Sequence, residues 1–191
     1  MTAAASKKTT WQKIARRIRV PLGFAFAAFY LWLAHPSRIT LLWSLVLVLP
    51  GLWLRAYASG YVKKNSELAV TGPYAYTRNP LYLGSMLMAF GFAAASHSWT
   101  ILIVLAALFF SIYLPTIRSE EEFLRGAFPA FADYSARVPR LLPRLTPART
   151  AQAETGAFSS ELYLRHREYN ALIGVVALYA ALTLRMFFAV R

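Results

Sequence analysis

The sequence predicts an all-α integral membrane protein with about five transmembrane helices and a cytoplasmic amphipathic helical segment between the fourth and the fifth. Hydrophobic residues make up 58% of the 191 residues and charged residues 15%, whereas a soluble domain is about half apolar and about a quarter charged. Several apolar stretches approach the roughly 20 residues that cross a bilayer as a helix. Most of the 21 Lys and Arg residues lie between alternate stretches, as expected for loops on the cytoplasmic side of a membrane.

The apolar stretches that predict membrane spans recur along the whole chain. The first ends with Tyr30 and Trp32, and such aromatic side chains favour the membrane interface. The second contains Pro50-Gly51, which predicts a kink that faces protein or a cavity. Only Ser96-His97-Ser98 separates the third from the fourth, so these two form an antiparallel helical hairpin. The predicted spans are residues 20–34, 39–57, 81–95, 99–117 and 170–190.

The basic residues also predict the topology and the division of the chain. With the N-terminus in the cytoplasm, the loop before the third span and the region after the fourth face the cytoplasm too, at the plasma or inner membrane if the source is bacterial. Arg55 and Arg185 lie near span ends and are expected to extend to the lipid head groups. Residues 1–19 form a cytoplasmic N-terminal segment with an interfacial helix, residues 20–145 a membrane-embedded core, residues 146–168 a linker and residues 169–191 an additional C-terminal transmembrane helix.

Composition excludes several classes of function. The net charge of +13 is distributed by topology and comes without a recognition helix or an aromatic platform, so we expect no nucleic-acid partner. The chain has no cysteine, which rules out disulfides, thiolate metal sites and a cysteine nucleophile. The three histidines, His35, His97 and His166, lie in separate loops without metal-ligand spacing. We therefore expect no metal.

Residues 72–84, just before the third span, carry the first candidate site. Gly72-Pro73 predicts a turn, and Pro80 begins a helix at a position where its missing N–H costs nothing. Asn79 precedes that proline and should be extended, which directs its amide and the Arg78 guanidinium away from the helix. Arg78 and the helix N-terminus together indicate a binding site for a carboxylate or a phosphate. The alternative is that Arg78 and the neighbouring tyrosines only anchor the chain at the membrane interface.

Three consecutive glutamates after the fourth span form the second candidate site. Glu120 is predicted on the apolar face of an amphipathic helix together with Leu124 and Phe131, and Pro129 interrupts that helix. A carboxylate at this depth carries a desolvation cost that a cationic ligand would offset. The alternative is a charged helical turn that Arg118 and Arg125 satisfy.

These two segments resemble the motifs of one enzyme family. Residues 72–84, Gly-Pro-Tyr-Ala-Tyr-Thr-Arg-Asn-Pro-Leu-Tyr-Leu-Gly, resemble the G-P-Y-x-x-x-R-H-P-x-Y-x-G motif of the isoprenylcysteine carboxyl methyltransferase family, which includes related bacterial phospholipid methyltransferases. Residues 117–124 resemble its I-R-x-E-E-x-x-L motif, and residues 134–139 its Y-x-x-x-V-P ending. The resemblance covers about residues 61–143, and the order of its motifs makes it specific.

The resemblance implies a membrane-embedded methyltransferase that binds S-adenosylmethionine on the cytoplasmic side and methylates a lipid or lipidated acceptor entering from the bilayer. By position, Glu120 or Glu121 meets the cationic part of the cofactor and Arg118 points to the substrate. The implied catalytic residues are Arg78, Asn79 and Arg118. The implied cofactor-binding residues are Gly72, Tyr74, Arg78, Asn79, Pro80, Tyr82, Glu120 and Glu121.

The chain departs from the family pattern at two places. Asn79 replaces the histidine of the family motif, and asparagine cannot titrate. The predicted span at residues 170–190 lies beyond the family's usual closing segment.

Arg78-Asn79 is also compatible with an NADPH-dependent sterol or steroid reductase of similar helical layout. A noncatalytic membrane scaffold is the third interpretation.

Overall fold

The computed structural model describes residues 25–63, 66–148 and 156–189, and all regular structure in these parts is helical. Residues 25–33 form α1. A 3₁₀ turn, Gly72–Ala75, precedes α3, and a π-helical turn, Phe109–Tyr113, joins α4 to α5. The remaining helices are α2 (Arg38–Ser59), α3 (Pro80–Ser96), α4 (Trp99–Leu108), α5 (Leu114–Ala127), α6 (Phe131–Arg137), α7 (Ser160–Arg165) and α8 (Tyr169–Ala189).

Three continuous helical stretches of the described residues are long and apolar enough to cross a membrane, namely Arg38–Ser59, Trp99–Ala127 and Tyr169–Phe188. The helical, membrane-type class predicted from the sequence is therefore confirmed. The predicted number of five spans is not confirmed. Helix α3 is apolar but has 17 residues, or about 25 Å of helix, and only residues 25–33 of the first predicted span lie in a described helix. The interfacial helix predicted within residues 1–19 lies outside the described residues.

Close packing of α2 against α3 forms the centre of the molecule. A methyl group on Gly51 would lie 2.7 Å from the carbonyl oxygen of Gly84, and one on Gly91 would lie 2.5 Å from Cγ2 of Val48. Small residues allow two membrane helices to approach this closely, and dispersion contacts then hold them. Gly51 is buried against α3, as predicted for a kink that faces protein, whereas Pro50 is exposed. This packing brings the last turns of α2 beside the start of α3.

The short connection predicted between the third and fourth spans is present. Helix α3 ends at Ser96, His97 adopts a left-handed conformation with φ 51°, and α4 begins at Trp99. Near this end the Tyr30 hydroxyl donates to the carbonyl of Phe92 at 2.8 Å. Tyr30, Ile101 and Leu182 belong to one buried cluster there, which joins α1, α4 and α8.

Helix α8 contacts the core at its middle and near its C-terminal end. The Ser44 and Tyr179 hydroxyls lie 2.6 Å apart, and Arg185 donates to the carbonyls of Trp32 and Ala34. Within the described residues, Arg185 thus has protein acceptors at the end of α1, and Arg55 pairs with Glu168 just before α8. Their predicted extension to the lipid head groups stays a prediction.

Candidate functional site

The turn that begins the candidate site requires glycine. Gly72 has φ +56°, and a methyl group there would lie 2.5 Å from the Tyr61 ring. Pro73 follows within the 3₁₀ turn, which confirms the predicted Gly-Pro turn. The next residue, Tyr74, is buried, and its carbonyl accepts a hydrogen bond of 2.8 Å from the Tyr134 hydroxyl. Residues 72–75 are thereby attached to α6.

The segment after α6 runs back along this turn. The backbone N–H of Arg78 donates to the carbonyl of Pro139 at 2.9 Å. The N–H of Ala148 donates to the carbonyl of Ala75, also at 2.9 Å. The Thr77 hydroxyl, which is buried, lies within hydrogen-bond distance of the carbonyls that follow Pro139. These bonds place Arg140 beside Arg78 although the sequence separates them widely.

Three polar side chains, those of Arg78, Asn79 and Arg140, meet at the buried carboxylate of Glu121. We call these four residues the Glu121 cluster. Glu121 is only 5% exposed. Arg140 donates to Oε2 of Glu121 from Nε at 3.0 Å and from Nη2 at 2.8 Å. The amide of Asn79 donates to Oε1 at 3.3 Å, and Nη2 of Arg78 lies 3.4 Å from the same oxygen. With two guanidinium groups and one carboxylate, the cluster carries a net positive charge.

Arg78 has more hydrogen-bonding capacity than Glu121 uses. Its side chain is 12% exposed, and its Nε is buried without a hydrogen-bond partner among the described residues. Its guanidinium carbon lies 6.0 Å from the centre of the Phe131 ring, a cation–π distance that partly offsets the loss of water. A buried donor without a partner costs about 1–3 kcal/mol. An anionic ligand next to Arg78 would remove that cost.

Glu120 lies on the exposed surface of α5, next to the buried face that carries Glu121. The prediction that Glu120 occupies the buried face is wrong: Glu120 is exposed, and Ile117 and Glu121 are buried. The predicted face ran as far as Phe131, but α5 ends at Ala127 and Phe131 belongs to α6. Glu120 accepts a hydrogen bond of 2.9 Å from the Tyr82 hydroxyl, and so links α5 to the first turn of α3.

The break between α5 and α6 occurs where the sequence predicts it. Phe128 has φ −129° and ψ 109°, the extended conformation that Pro129 imposes on the residue before it. The break lets Phe131, Tyr134 and Val138 enter one buried cluster with Val70. That cluster supports the turn at residues 72–75.

The remaining predicted residues occupy different positions. Pro80 begins α3, as predicted. Asn79 stands at the N-cap with φ −128° and ψ 57°, but its side chain does not cap the helix, because it donates to Glu121 and, at 3.0 Å, to the carbonyl of Arg140. Arg118 is exposed on α5, outside the Glu121 cluster. Its implied contact with substrate stays a prediction.

Burial and pairing set the protonation states around the cluster. Burial, with further contributions from Tyr134 and Glu120, raises the pKa of Tyr74 well above its ordinary value. Burial likewise raises the pKa of Tyr134. The hydrogen bond to Glu121 raises the pKa of Arg140. Both tyrosines are therefore neutral hydroxyls and Arg140 is a permanent cation.

Sequence reasoning missed Arg140 and the pair of Arg55 with Glu168. Arg140 follows Val138-Pro139, and that proline-bounded turn was the available signal of a chain reversal. Arg55 interrupts an apolar helix, and a charge in such a helix often marks a functional contact. Its partner could not be read, because Glu168 is more than a hundred residues away.

A cavity of about 1200 Å³ lies beside the site. Residues 60–63 and 66–71, the helix break at 128–130 and the segments 156–157, 159, 161–162 and 165–166 line it. None of Arg78, Asn79, Arg118, Glu120 or Glu121 is among its lining residues. In the described parts of the chain, no group of three or more His, Asp or Glu side chains could hold a metal ion.

Comparison with known proteins identifies relatives of the central region. A family model described as phospholipid methyltransferase matches residues 22–130. The cobalt-zinc-cadmium resistance protein CzcN of Cupriavidus metallidurans is 40% identical over 109 residues, 57% of this chain and 50% of that protein. The nickel-cobalt-cadmium resistance protein NccN of Alcaligenes xylosoxydans xylosoxydans is 39% identical over 114 residues, 58% of this chain and 53% of that protein. The chain thus spans about half the length of these relatives, and no solved structure matches it significantly.

Proposed function

Because this chain belongs to the phospholipid methyltransferase family, within the isoprenylcysteine carboxyl methyltransferase-like group, we propose that it transfers the methyl group of S-adenosylmethionine to a lipid-like acceptor. The acceptor is a prenylcysteine-type carboxylate or another lipid head group, reached from the cytoplasmic side of the membrane. The observation that carries this proposal is the Glu121 cluster, in which a buried carboxylate and two guanidinium groups meet at the start of an apolar helix.

The residues fit the amino-acid part of this cofactor, which bears a carboxylate and an ammonium group. Arg78 has a buried Nε without a partner among the described residues, and it stands just before α3, where a helix offers unpaired N–H groups to an anion. Glu121 supplies a buried carboxylate for a cation. Opposite charges within one small site suit a zwitterion.

The proposed roles follow from these positions. Arg78 and the start of α3 hold the cofactor carboxylate, and Glu121 holds the ammonium group or the ribose. Arg140, which already donates to Glu121, keeps that carboxylate charged and oriented. Glu120, joined to Tyr82, lies at the exposed edge of the same region.

When bound, the cofactor supplies an electrophilic methyl group on a sulfonium, which an acceptor can displace in line. The protein then needs no nucleophile of its own. Its contribution is positioning, worth up to about 7–11 kcal/mol in favourable cases, and exclusion of water around the charges. Asn79 cannot take a proton from the acceptor, so the site suits an acceptor that is already an anion.

The membrane placement belongs to the same proposal. The N-terminus and the site face the cytoplasm, as the distribution of basic residues predicts. Arg118, exposed on α5, steers the anionic group of an acceptor that arrives from the bilayer. The names of the two relatives concern metal resistance, and the family match is what supports lipid methylation as the proposed activity of this chain.

Two adjacent glutamates allow a matched test of cofactor binding. Glu121 is buried in the cluster and Glu122 is exposed. In detergent-purified protein, Glu121→Gln should weaken binding of S-adenosylmethionine at least about tenfold, since a charged hydrogen bond contributes about 1.5–3 kcal/mol. Glu122→Gln should bind as the wild type does.

Failure of the wild type to bind S-adenosylmethionine would refute the proposed function, and equal affinity in the two variants would refute the site. Reduced nicotinamide dinucleotides serve as the second ligand, since their binding in place of S-adenosylmethionine would favour the reductase interpretation. Transfer of a labelled methyl group to extracted membrane lipids, and to a prenylcysteine analogue, then identifies the class of acceptor.

A further inference from the structure

Arg55 and Glu168 form an ion pair that connects three helices outside the Glu121 cluster. Nε of Arg55 lies 3.1 Å from Oε2 of Glu168, and Nη2 lies 2.8 Å from the same oxygen and 2.9 Å from Oε1. The two side chains are 24% and 13% exposed. Arg55 belongs to α2 and Glu168 directly precedes α8. Both carboxylate oxygens therefore hold one guanidinium group in a fixed orientation.

The third nitrogen of this guanidinium reaches the first turn of α3. Nη1 of Arg55 donates to the Ser85 hydroxyl and, at 3.4 Å, to the carbonyl of Leu81. Ser85 in turn donates to the carbonyl of Leu81 at 2.9 Å. The close approach of Gly84 to Cγ of Arg55 leaves little room for another arrangement. This turn carries Tyr82 and directly follows Arg78-Asn79.

Anchoring α8 does not by itself explain the pair. The Ser44–Tyr179 contact and the bonds from Arg185 already attach α8 to the core. A partly buried ion pair is a weak source of stability compared with apolar packing of the same volume, and its directional bonds serve to select one arrangement. Arg55 makes those bonds to the carboxylate of Glu168, in the C-terminal region, and to α3.

The pKa of Tyr74 responds to the charges of both the pair and Glu120. Burial is the main reason for its raised pKa, Glu120 and Glu168 raise that pKa further, and Arg55 lowers it. The Tyr74 hydroxyl thus lies within electrostatic range of both the exposed edge of the site and the Arg55–Glu168 pair. Glu168 itself lies beyond residues 22–130, which the family model matches.

We infer that Glu168 is a positioning residue for the site at the start of α3, and that it acts through Arg55 on the first turn of that helix. The region beyond the family match is thereby a working part of the site and more than an anchor. The part of the inference that concerns S-adenosylmethionine rests on the proposed function. The part that concerns the conformation of α3 is independent of it.

Glu168→Gln tests the inference, with Tyr179→Phe as the matched control. Both variants remove a polar contact between the C-terminal region and α2, but only Glu168 acts on a residue that bonds to α3. Hydrogen exchange of a peptide covering residues 80–88 reports the order of the first turn, and a peptide from α4 serves as the internal reference. Affinity for S-adenosylmethionine and the melting temperature are measured on the same samples in detergent.

We expect Glu168→Gln to raise exchange in residues 80–88 about tenfold relative to the α4 peptide, and to weaken cofactor binding about tenfold. Tyr179→Phe should change neither the exchange nor the affinity by more than about twofold, at a similar shift in melting temperature. Glu168→Asp should show smaller changes in exchange and affinity than Glu168→Gln. Equal exchange in the two variants would overturn the inference. If the wild type binds no S-adenosylmethionine, the proposed function fails, and the exchange measurement alone decides the role of Glu168.

Discussion

Nη2 of Arg140 lies 2.8 Å from Oε2 of Glu121, so the segment after α6 closes over the buried face of α5. The bond is strong because both groups are charged and the carboxylate is buried. It also brings into the candidate site a residue that lies outside the matched family region of residues 22–130.

Arg140→Gln should weaken binding of S-adenosylmethionine about tenfold, because Glu121 loses the guanidinium that orients it and is left with Arg78 and Asn79. Arg137→Gln is the control, since the ion pair of Arg137 with Asp133 is exposed and such pairs contribute about 0–1 kcal/mol. Titration of both variants with the cofactor decides the point. An Arg140→Gln protein with wild-type affinity would remove Arg140 from the site.

Asn79→Ala should lower the free energy of unfolding by about 1–3 kcal/mol. The Asn79 amide donates to Oε1 of Glu121 and to the carbonyl of Arg140, and both acceptors lose a donor in the variant. Thermal unfolding in detergent measures the change. Asn79→Gln, which keeps the amide on a longer side chain, should recover less than half of the loss, because the site is closely packed. No change in melting temperature on Asn79→Ala would mean that the two bonds contribute nothing to stability.

Gly72→Ala should destabilise the protein by about 1–3 kcal/mol, since φ +56° is unfavourable for alanine and the added methyl would lie 2.5 Å from the Tyr61 ring. Gly126→Ala is the matched control. No atom lies within 4 Å of a methyl group at that helical position, and alanine is favoured over glycine in a helix. Melting temperatures should therefore shift in opposite directions. A neutral Gly72→Ala would contradict the described turn.

Gly91→Ala should destabilise the contact between α2 and α3, and a second change, Val48→Ala, should relieve part of that effect. The added methyl would lie 2.5 Å from Cγ2 of Val48 and 3.0 Å from the carbonyl oxygen of Ser44. Residues in contact give non-additive free energies of about 0.5–3 kcal/mol, which a double-mutant cycle of melting experiments measures. Gly174→Ala, where no atom lies within 4 Å of the added methyl, controls for glycine removal. Additive changes at Gly91 and Val48 would show that the two helices do not touch there.

Local chemistry in the sequence was sufficient to predict several elements. Pro80 at a helix start, the Gly72-Pro73 turn, the short connection around His97 and the extended Phe128 before Pro129 all agree with the structure. Each of these depends on the backbone preferences of one or two residues, so neighbours in sequence determine it. Composition likewise predicted the helical membrane class.

The register of α5 could not be predicted in the same way. Which of three adjacent glutamates is buried depends on where α5 ends and on what packs against it. Helix α5 stops before Phe131, and Glu121 faces inward where Arg140 and Asn79 meet it. Successive residues are about 100° apart around a helix. An error of one residue in the predicted helix face therefore selected Glu120 as the buried glutamate instead of Glu121.

The sequence by itself thus determined the class of fold, the turns and the two segments that carry the site. The tertiary structure alone decided which charged groups meet. Glu121 is paired with Arg140, and Arg55 with Glu168, because a charge leaving water must find a partner wherever the packing of helices places one. Such pairings join residues that are distant in the chain, and no local preference of the backbone encodes them.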